Sequence, residues 1–299
     1  MKKTISLLLS VVMLLSVMVG ADYSAYSKTI SESESNSSLY NANRINIGDT
    51  IEGVGTRKDG KADYDFFSFD NSTPKKVFIL FTSNDYEFYI TMWNKNGERI
   101  KENAYSNDTG YVSFDSNYNQ YRRKFSFVTD AGTNYIRVEV AGYSTTARYS
   151  FFTYAEGWNK IDGKWYYYDS EGNMVTGWQK IKSSGSQYSA WYYFASNGVM
   201  QTGWQKLKRN SNYYAWFYFD SSGKMVTGWQ KLKKDSNYNA WYYFDSNGKM
   251  QTGWKKLKKN SQYNAWYYFL SNGKMVANTT KRIGNKTYRF DKYGRCQNP

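Results

Sequence analysis

The fold is decided by Gly228-Trp229-Gln230-Lys231-Leu232-Lys233-Lys234, followed by Trp241-Tyr242-Tyr243-Phe244, then Asp245-Ser246-Asn247-Gly248-Lys249-Met250-Gln251-Thr252 and a fresh Gly253-Trp254. The same order of residues recurs along the second half of the chain. Gly-Trp pairs stand at Gly157-Trp158, Gly177-Trp178, Gly203-Trp204, Gly228-Trp229 and Gly253-Trp254, at intervals of 20, 26, 25 and 25 residues. Between them lie Trp165-Tyr166-Tyr167-Tyr168, Trp191-Tyr192-Tyr193-Phe194, Trp216-Phe217-Tyr218-Phe219, Trp241-Tyr242-Tyr243-Phe244 and Trp266-Tyr267-Tyr268-Phe269. Each block is followed by a Gly turn and by Met174, Met200, Met225, Met250 or Met275. A period of this length is one supersecondary unit. The aromatic block reads as a strand and Asp245-Ser246-Asn247-Gly248 as a turn. A lone two-stranded hairpin is marginal in water, so the units are predicted to stack into a β-hairpin solenoid over residues 157–299. The degenerate stretch Ile283 to Gly294 lacks both Trp positions and reads as a cap.

Strand alternation sorts the rings. Trp241 and Tyr243 point to one face, Tyr242 and Phe244 to the other. One set fills the core of the stack, and the other lies with the Gly-Trp ring between successive hairpins. Four units carry about five extra residues before the aromatic strand, as in Lys182 to Ala190, whereas the first has the compact Ile161-Asp162-Gly163-Lys164.

The tract, Gly-Trp-x-Lys, a turn, Trp-Tyr-Tyr-Phe, then Gly-x-Met-x-Thr-Gly-Trp, strongly resembles the choline-binding repeats of Gram-positive cell-wall proteins; glucan-binding and toxin repeats share part of it. The resemblance implies an aromatic cage between adjacent hairpins, formed by the Gly-Trp ring, the first ring of the same unit's block and a ring of the next unit, with Met nearby. That chemistry suits a quaternary ammonium, which has no N–H to donate and is held by ring faces. Carried over, the sites are Trp158, Trp165 and Tyr193 (or Tyr192) with Met174; Trp178, Trp191 and Tyr218 with Met200; Trp204, Trp216 and Tyr243 with Met225; and Trp229, Trp241 and Tyr268 with Met250. A last one combines Trp254, Trp266 and Met275 with Tyr288 from the cap.

Residues 45–155 read differently. Strand candidates at Tyr64–Asp70, Lys76–Phe81, Glu87–Trp93, Tyr111–Phe114, Arg123–Thr129, Tyr135–Val140 and Arg148–Tyr154 suggest a β-sandwich. Asn94-Lys95-Asn96-Gly97 is a turn signal with a type I′ preference. Gly53, Tyr64 to Phe69, Trp93-Asn94 and Ala131 to Val138 resemble the small β-sandwiches called pre-peptidase C-terminal domains. Asp63, Asp65, Asp70 and Asp130 have oxygens that suit calcium, but the plainer reading is turn and loop acids, and no metal or cofactor is expected. Residues 22–44, rich in Ser, Asn and Glu, read as a flexible leader. Residues 1–21 read as a signal peptide: Lys2 and Lys3, an apolar run from Ile5 to Val19, and Val19-Gly20-Ala21 as a cleavage pattern. After its removal no membrane insertion is expected.

Composition narrows the function. The 299 residues include 31 Tyr, 17 Phe and 11 Trp, with mean hydropathy −0.77, and ten of the Trp lie between Trp158 and Trp266. With no His and one Cys, a His-dependent triad, a His-ligated zinc site and an intramolecular disulfide are excluded. The net charge of +15 is uneven: residues 157–299 carry +16 and residues 22–156 carry −3. A basic array is steered to polyanions. Nucleic acid fits poorly with an exported, regularly spaced array. The expectation is therefore an all-β, secreted, non-enzymatic surface protein of a Gram-positive cell wall. It would be held by choline or phosphocholine on teichoic or lipoteichoic acid and would display the sandwich. The alternatives are a wall hydrolase whose catalytic domain lies in 45–155 and a glucan-binding or other carbohydrate-binding protein.

Overall fold

A computed structural model describes residues 28–33, 36–58, 61–84, 88–100, 113–115, 120–140, 146–182, 187–209, 213–234, 239–259 and 264–299. The expected signal segment, 1–21, lies outside them. Among the described residues the chain is all-β apart from one 3-10 turn at Leu39–Asn41, and no helix is long and apolar enough to cross a membrane. Contacts divide it into two compact units. One runs to Thr176 and includes Ser196–Val199; the other comprises Gly177–Ala195 and Met200–Pro299.

The first unit is built on a sandwich of twelve strands: β1 (Thr29–Ser31), β2 (Asn43–Arg44), β3 (Thr50–Lys58), β4 (Lys61–Ala62), β5 (Tyr64–Asn71), β6 (Lys75–Ser83), β7 (Phe88–Asn94), β8 (Arg99–Ile100), β9 (Ser113–Asp115), β10 (Gln120–Thr129), β11 (Gly132–Val140) and β12 (Thr146–Ala155). One sheet has the order β1-β3-β12-β6-β10-β9, with β4 on β3; the other is β2-β5-β11-β7-β8. Alternation fills the space between them. Val77, Ile79 and Phe81 of β6 and Tyr149 and Phe151 of β12 meet Phe67 and Phe69 of β5 and Ile136 and Val138 of β11.

The expected strands are present, with ends shifted by a few residues. Two readings are corrected. The segment taken as a flexible leader supplies structure from Thr29 onward: β1 pairs in parallel with β3 and β2 with β5. Its Ser and Asn content reflects edge position, where one side of the strand faces water. β3 itself escaped the sequence reading because Gly53 and Gly55 interrupt its pattern. Gly53 is required by packing, since a Cβ there would lie 2.3 Å from the Tyr149 ring. The turn after β7 also differs from a type I′ turn, which needs positive φ at both central residues. Among the residues of that turn only Gly97 has it, at +75°, and the Asn94 side chain closes the loop by accepting from the Asn96 and Glu98 N–H groups.

The boundary expected between Ala155 and Gly157 is not where the first unit ends. The first repeat hairpin, Gly157–Ile161 with Lys164–Tyr168, packs on the outer face of the larger sheet. Phe78, Phe152 and Tyr154, which point away from the sandwich interior, cluster with Ile161, Tyr166 and Tyr168. Tyr154 stacks on Phe78 at 5.1 Å and meets Tyr168 at 4.4 Å. Polar contacts fix the register: Tyr154 Oη donates to the Gly172 carbonyl at 2.9 Å, Lys76 Nζ to Ser170 at 2.8 Å and Lys124 Nζ to Glu171 at 2.6 Å. The large sheet is thus covered on both faces, which explains the nearly unbroken apolar runs of β6 and β12.

An acid pair, with Asp65 buried and Glu32 half-buried, underlies β3. Tyr149 Oη lies 2.7 Å from Glu32 Oε2 and 2.8 Å from Asp65 Oδ2. One hydroxyl proton serves only one of them, so a proton on a carboxyl group completes the cluster. Burial, and then the Glu32 charge, push the Asp65 carboxyl up to about 8. A carboxyl with a raised native pKa binds its proton in the folded state while the unfolded chain has lost it. Stability therefore falls as pH rises from about 4 to about 8. Thermal melts should show a lower Tm at pH 8 than at pH 5. Asp65→Asn should flatten that dependence, with an effect on the order of a few kcal/mol at pH 8; an unchanged slope contradicts the assignment.

Candidate functional site

The second unit consists of five hairpins. Counting on from the first, they are hairpin two (Gly177–Lys182, Ser189–Phe194), three (Gly203–Lys208, Tyr214–Phe219), four (Gly228–Leu232, Ala240–Phe244), five (Gly253–Leu257, Ala265–Phe269) and six (Thr279–Ile283, Lys286–Phe290). Register gives each hairpin two unlike faces. In hairpin four Trp229 is opposite Tyr243 and Lys231 opposite Trp241, so both Trp and Tyr243 share one face. Tyr242 and Phe244 share the other and are fully buried.

Stacking sets the first kind of face on the second. Trp178 meets Phe217 and Phe219 of hairpin three at 4.9 and 5.6 Å. Trp204 meets Tyr242 and Phe244 at 4.8 and 5.6 Å, and Trp229 meets Tyr267 and Phe269 at the same distances. Trp254 meets Tyr288 and Phe290 of the cap at 4.7 and 5.8 Å. Each such ring pair contributes about 0.5–1.5 kcal/mol beyond its buried area. Backbone rungs reinforce the stack: the N–H groups of Met225, Met250, Met275 and Cys296 donate to the carbonyls of Trp191, Trp216, Trp241 and Trp266 at 2.8–2.9 Å. Cys296, incidental in the sequence, stands where the other units have Met.

Within each of hairpins one to five the two Trp rings form a corner. Their planes cross at 79–88° with centroids 6.1–6.5 Å apart in Trp158–Trp165, Trp178–Trp191, Trp204–Trp216, Trp229–Trp241 and Trp254–Trp266. Three of the corners hold a cation of the chain itself. Arg209 lies 4.8 Å from Trp178 and 4.2 Å from Trp191. Lys234 lies 4.7 and 4.0 Å from Trp204 and Trp216, and Lys259 lies 4.6 and 3.7 Å from Trp229 and Trp241. The thioethers of Met225, Met250 and Met275 approach these cations at 3.5, 3.9 and 3.8 Å. The preceding residue holds each loop in place, because the indole N–H groups of Trp178, Trp204 and Trp229 donate to the carbonyls of Lys208, Lys233 and Lys258 at 2.9, 2.7 and 2.7 Å.

Burial, and then the Lys231 charge, push the Lys259 ammonium down to about 8. The ring faces act in the opposite sense, since they favour the charged form. Burial likewise lowers Arg209, against the nearby Asp245.

The geometry sorts the expected site residues. Trp178 with Trp191, Trp204 with Trp216, Trp229 with Trp241, and Trp254 with Trp266 and Tyr288 come together. In the first hairpin Trp158 meets Trp165 at 6.1 Å and Tyr167 at 5.2 Å. Tyr193, Tyr218, Tyr243 and Tyr268 stand instead beside the Gly-Trp ring of their own hairpin, at 5.1–5.3 Å. The ring offered to the preceding Trp is Phe217, Tyr242 or Tyr267, one residue earlier, because strand parity turns that position backward. Met225 borders the Trp178–Trp191 corner, its N–H donating to the Trp191 carbonyl and its thioether 3.5 Å from Arg209. Met200 lies against Gly223, as Met174 does against Gly198.

Arg209, Lys234 and Lys259 were not singled out from the sequence. Their signal was there, as a second cation after the lysine that ends the Gly-Trp segment, at Lys208-Arg209, Lys233-Lys234 and Lys258-Lys259. The four Asp considered for calcium do not converge. Asp65 is in the Tyr149 cluster, Asp70 pairs with Arg44, Asp63 accepts from Thr56, and Asp130 accepts from Asn94. Among the described residues no group of three His, Cys, Asp or Glu gathers as for a metal.

Fold and site define a repeat protein whose stacked hairpins present paired indole corners that accept cations. Residues 155–190 match the choline-binding repeat, and residues 227–250 and 252–275 match the putative cell wall binding repeat. These three stretches thus carry repeats of those two kinds. No curated protein matches the chain. Among solved structures it is similar to choline binding protein F from Streptococcus pneumoniae, at 38% identity over 47% of this chain and 40% of that one, with TM-score 0.36. It is also similar to CbpJ from Streptococcus pneumoniae TIGR4, at 28% identity over 48% and 76%, TM-score 0.23. A third is a pneumococcal cell wall endolysin from phage Cp-1 complexed with choline, at 32% identity over 46% and 35%, TM-score 0.25. The matches to the first and third span well under half of those proteins.

Gly248 tests the stacking. Its φ is +79°, and a Cβ there would lie 2.3 Å from Met225 Sδ. Gly248→Ala should destabilise the second unit by more than about 1 kcal/mol, read as a lower midpoint in the tryptophan fluorescence melt; an unchanged midpoint contradicts this packing.

Proposed function

We propose that the hairpin array attaches the protein to a Gram-positive cell surface by holding choline or phosphocholine groups of teichoic or lipoteichoic acid, and that the sandwich is a non-catalytic module displayed by that attachment. The observation that carries this reading is the indole corner itself. Three of the corners accommodate an Arg or Lys head over both rings within 5 Å. A trimethylammonium group has the same charge and no hydrogen bond to lose, so an aromatic corner suits it better than a carboxylate would. The basic surface of the repeats attracts the phosphates that accompany choline in such polymers. Several weak sites on one chain, engaging one polymer, gain by effective concentration. The sandwich resembles pre-peptidase C-terminal domains in pattern, and its acidic residues are engaged one by one in structural contacts, which suits a binding or spacer module.

The full secreted chain should be retained on a choline-analogue resin and released by free choline, while soluble α-glucan fails to release it. Release by glucan, or no retention, contradicts the reading. Purified walls should keep their turbidity when the protein is added; a steady loss would favour a hydrolase.

A further inference from the structure

Arg209, Lys234 and Lys259 occupy equivalent positions that no role above requires. Each follows the lysine whose carbonyl takes an indole N–H, so the loop that supplies the cation is fixed at the rim of the corner. Each head lies over two rings at once. Arg209 is itself buried and also donates from Nη1 to the Asn247 carbonyl at 2.6 Å.

The terminal corner is built without such a residue. Hairpin six turns through Ile283-Gly284-Asn285-Lys286 and lacks the inserted loop. Trp266 is accordingly 38% exposed, and Trp165 of the first hairpin's corner 40%, whereas Trp191, Trp216 and Trp241 are half-buried. Lys256, across the strand pair from Trp266, comes within 5.9 Å of that ring, and Lys286 lies 5.1 Å from Tyr288. Among the described residues no cation lies over Trp254.

We infer that Arg209, Lys234 and Lys259 are resident cations that close the three internal corners of the second unit, and that within this unit a quaternary-ammonium ligand enters first at the terminal corner of Trp254, Trp266 and Tyr288. The inference rests on the reading of the array as a choline binder and adds an order of occupancy to it. A tethered cation competes at an effective concentration on the order of millimolar. A free ligand below that level leaves the internal corners closed. Arg209 is the most firmly held of the three, because its planar fork bonds the Asn247 carbonyl while its flat face lies on the rings.

Calorimetric titration of the full secreted chain with choline chloride tests this by counting sites. Trp254→Ala should lower the number of bound choline molecules by one. The triple variant R209S/K234S/K259S should gain up to three sites; Ser is chosen because it follows Lys182 in hairpin two. Should the triple variant not fold, Lys234→Ser alone should gain one. The inference is overturned if Trp254→Ala costs no site, or if removing the cations adds none. A wild-type chain that binds no choline overturns the choline reading itself. The closure by resident cations is then read separately from acrylamide quenching of indole fluorescence. Quenching rises in the triple variant if the cations cover the rings, and an unchanged value overturns the closure.

Discussion

The second half of the molecule depends on one constraint: a two-stranded hairpin has no interior, so its aromatic rings are buried only by the next hairpin. Each Gly-Trp ring of the second unit meets that demand twice. Trp178, Trp204, Trp229 and Trp254 each sit edge-on to a Trp and a Tyr of their own hairpin and lie against two rings of the following one. The 25-residue period, the small residue before each Trp and the Met against each turn glycine all serve that shared ring. The first hairpin meets the same demand with Phe78, Phe152 and Tyr154 of the sandwich, which is why the compact unit extends past the start of the repeats.

The corner that holds a cation and the contact that stacks therefore use the same side chain. This explains how cations are both an opportunity and a cost here. An indole corner left open exposes apolar ring faces to water. A lysine or arginine from the neighbouring loop covers them with its aliphatic stem and places charge over the rings. The inserted residues before the aromatic strands thus lengthen a loop and also deliver the closing group.

Much of this was legible in the sequence. The repeat gave the hairpins and the five Trp corners, since Gly-Trp and Trp-Tyr-Tyr-Phe recur without a break. The sandwich showed in the strands from Tyr64 onward. What stayed hidden follows from three physical facts. β1 and β2 are short edge strands whose polar residues look like linker. β3 carries Gly53 because a ring 96 residues away in sequence, Tyr149, lies over it, and no local pattern reports that. The parity of the ring facing the previous hairpin depends on stacking direction, which alternation alone leaves open. Tyr288 lies beside Trp254, while the rings against Trp178, Trp204 and Trp229 are Phe217, Tyr242 and Tyr267, one residue before Tyr218, Tyr243 and Tyr268. Lys234 and Lys259 were masked by the many other lysines of the array.

The central claim is that each internal Gly-Trp ring is locked between two hairpins, its N–H bonded to the carbonyl of the next loop. Hydrogen exchange of the indole N–H groups, resolved by nuclear magnetic resonance, tests it directly. The account predicts slow exchange at Trp178, Trp204 and Trp229, which donate to Lys208, Lys233 and Lys258, and fast exchange at Trp254, which faces the cap without such a loop. Equal, fast exchange at all four would contradict it.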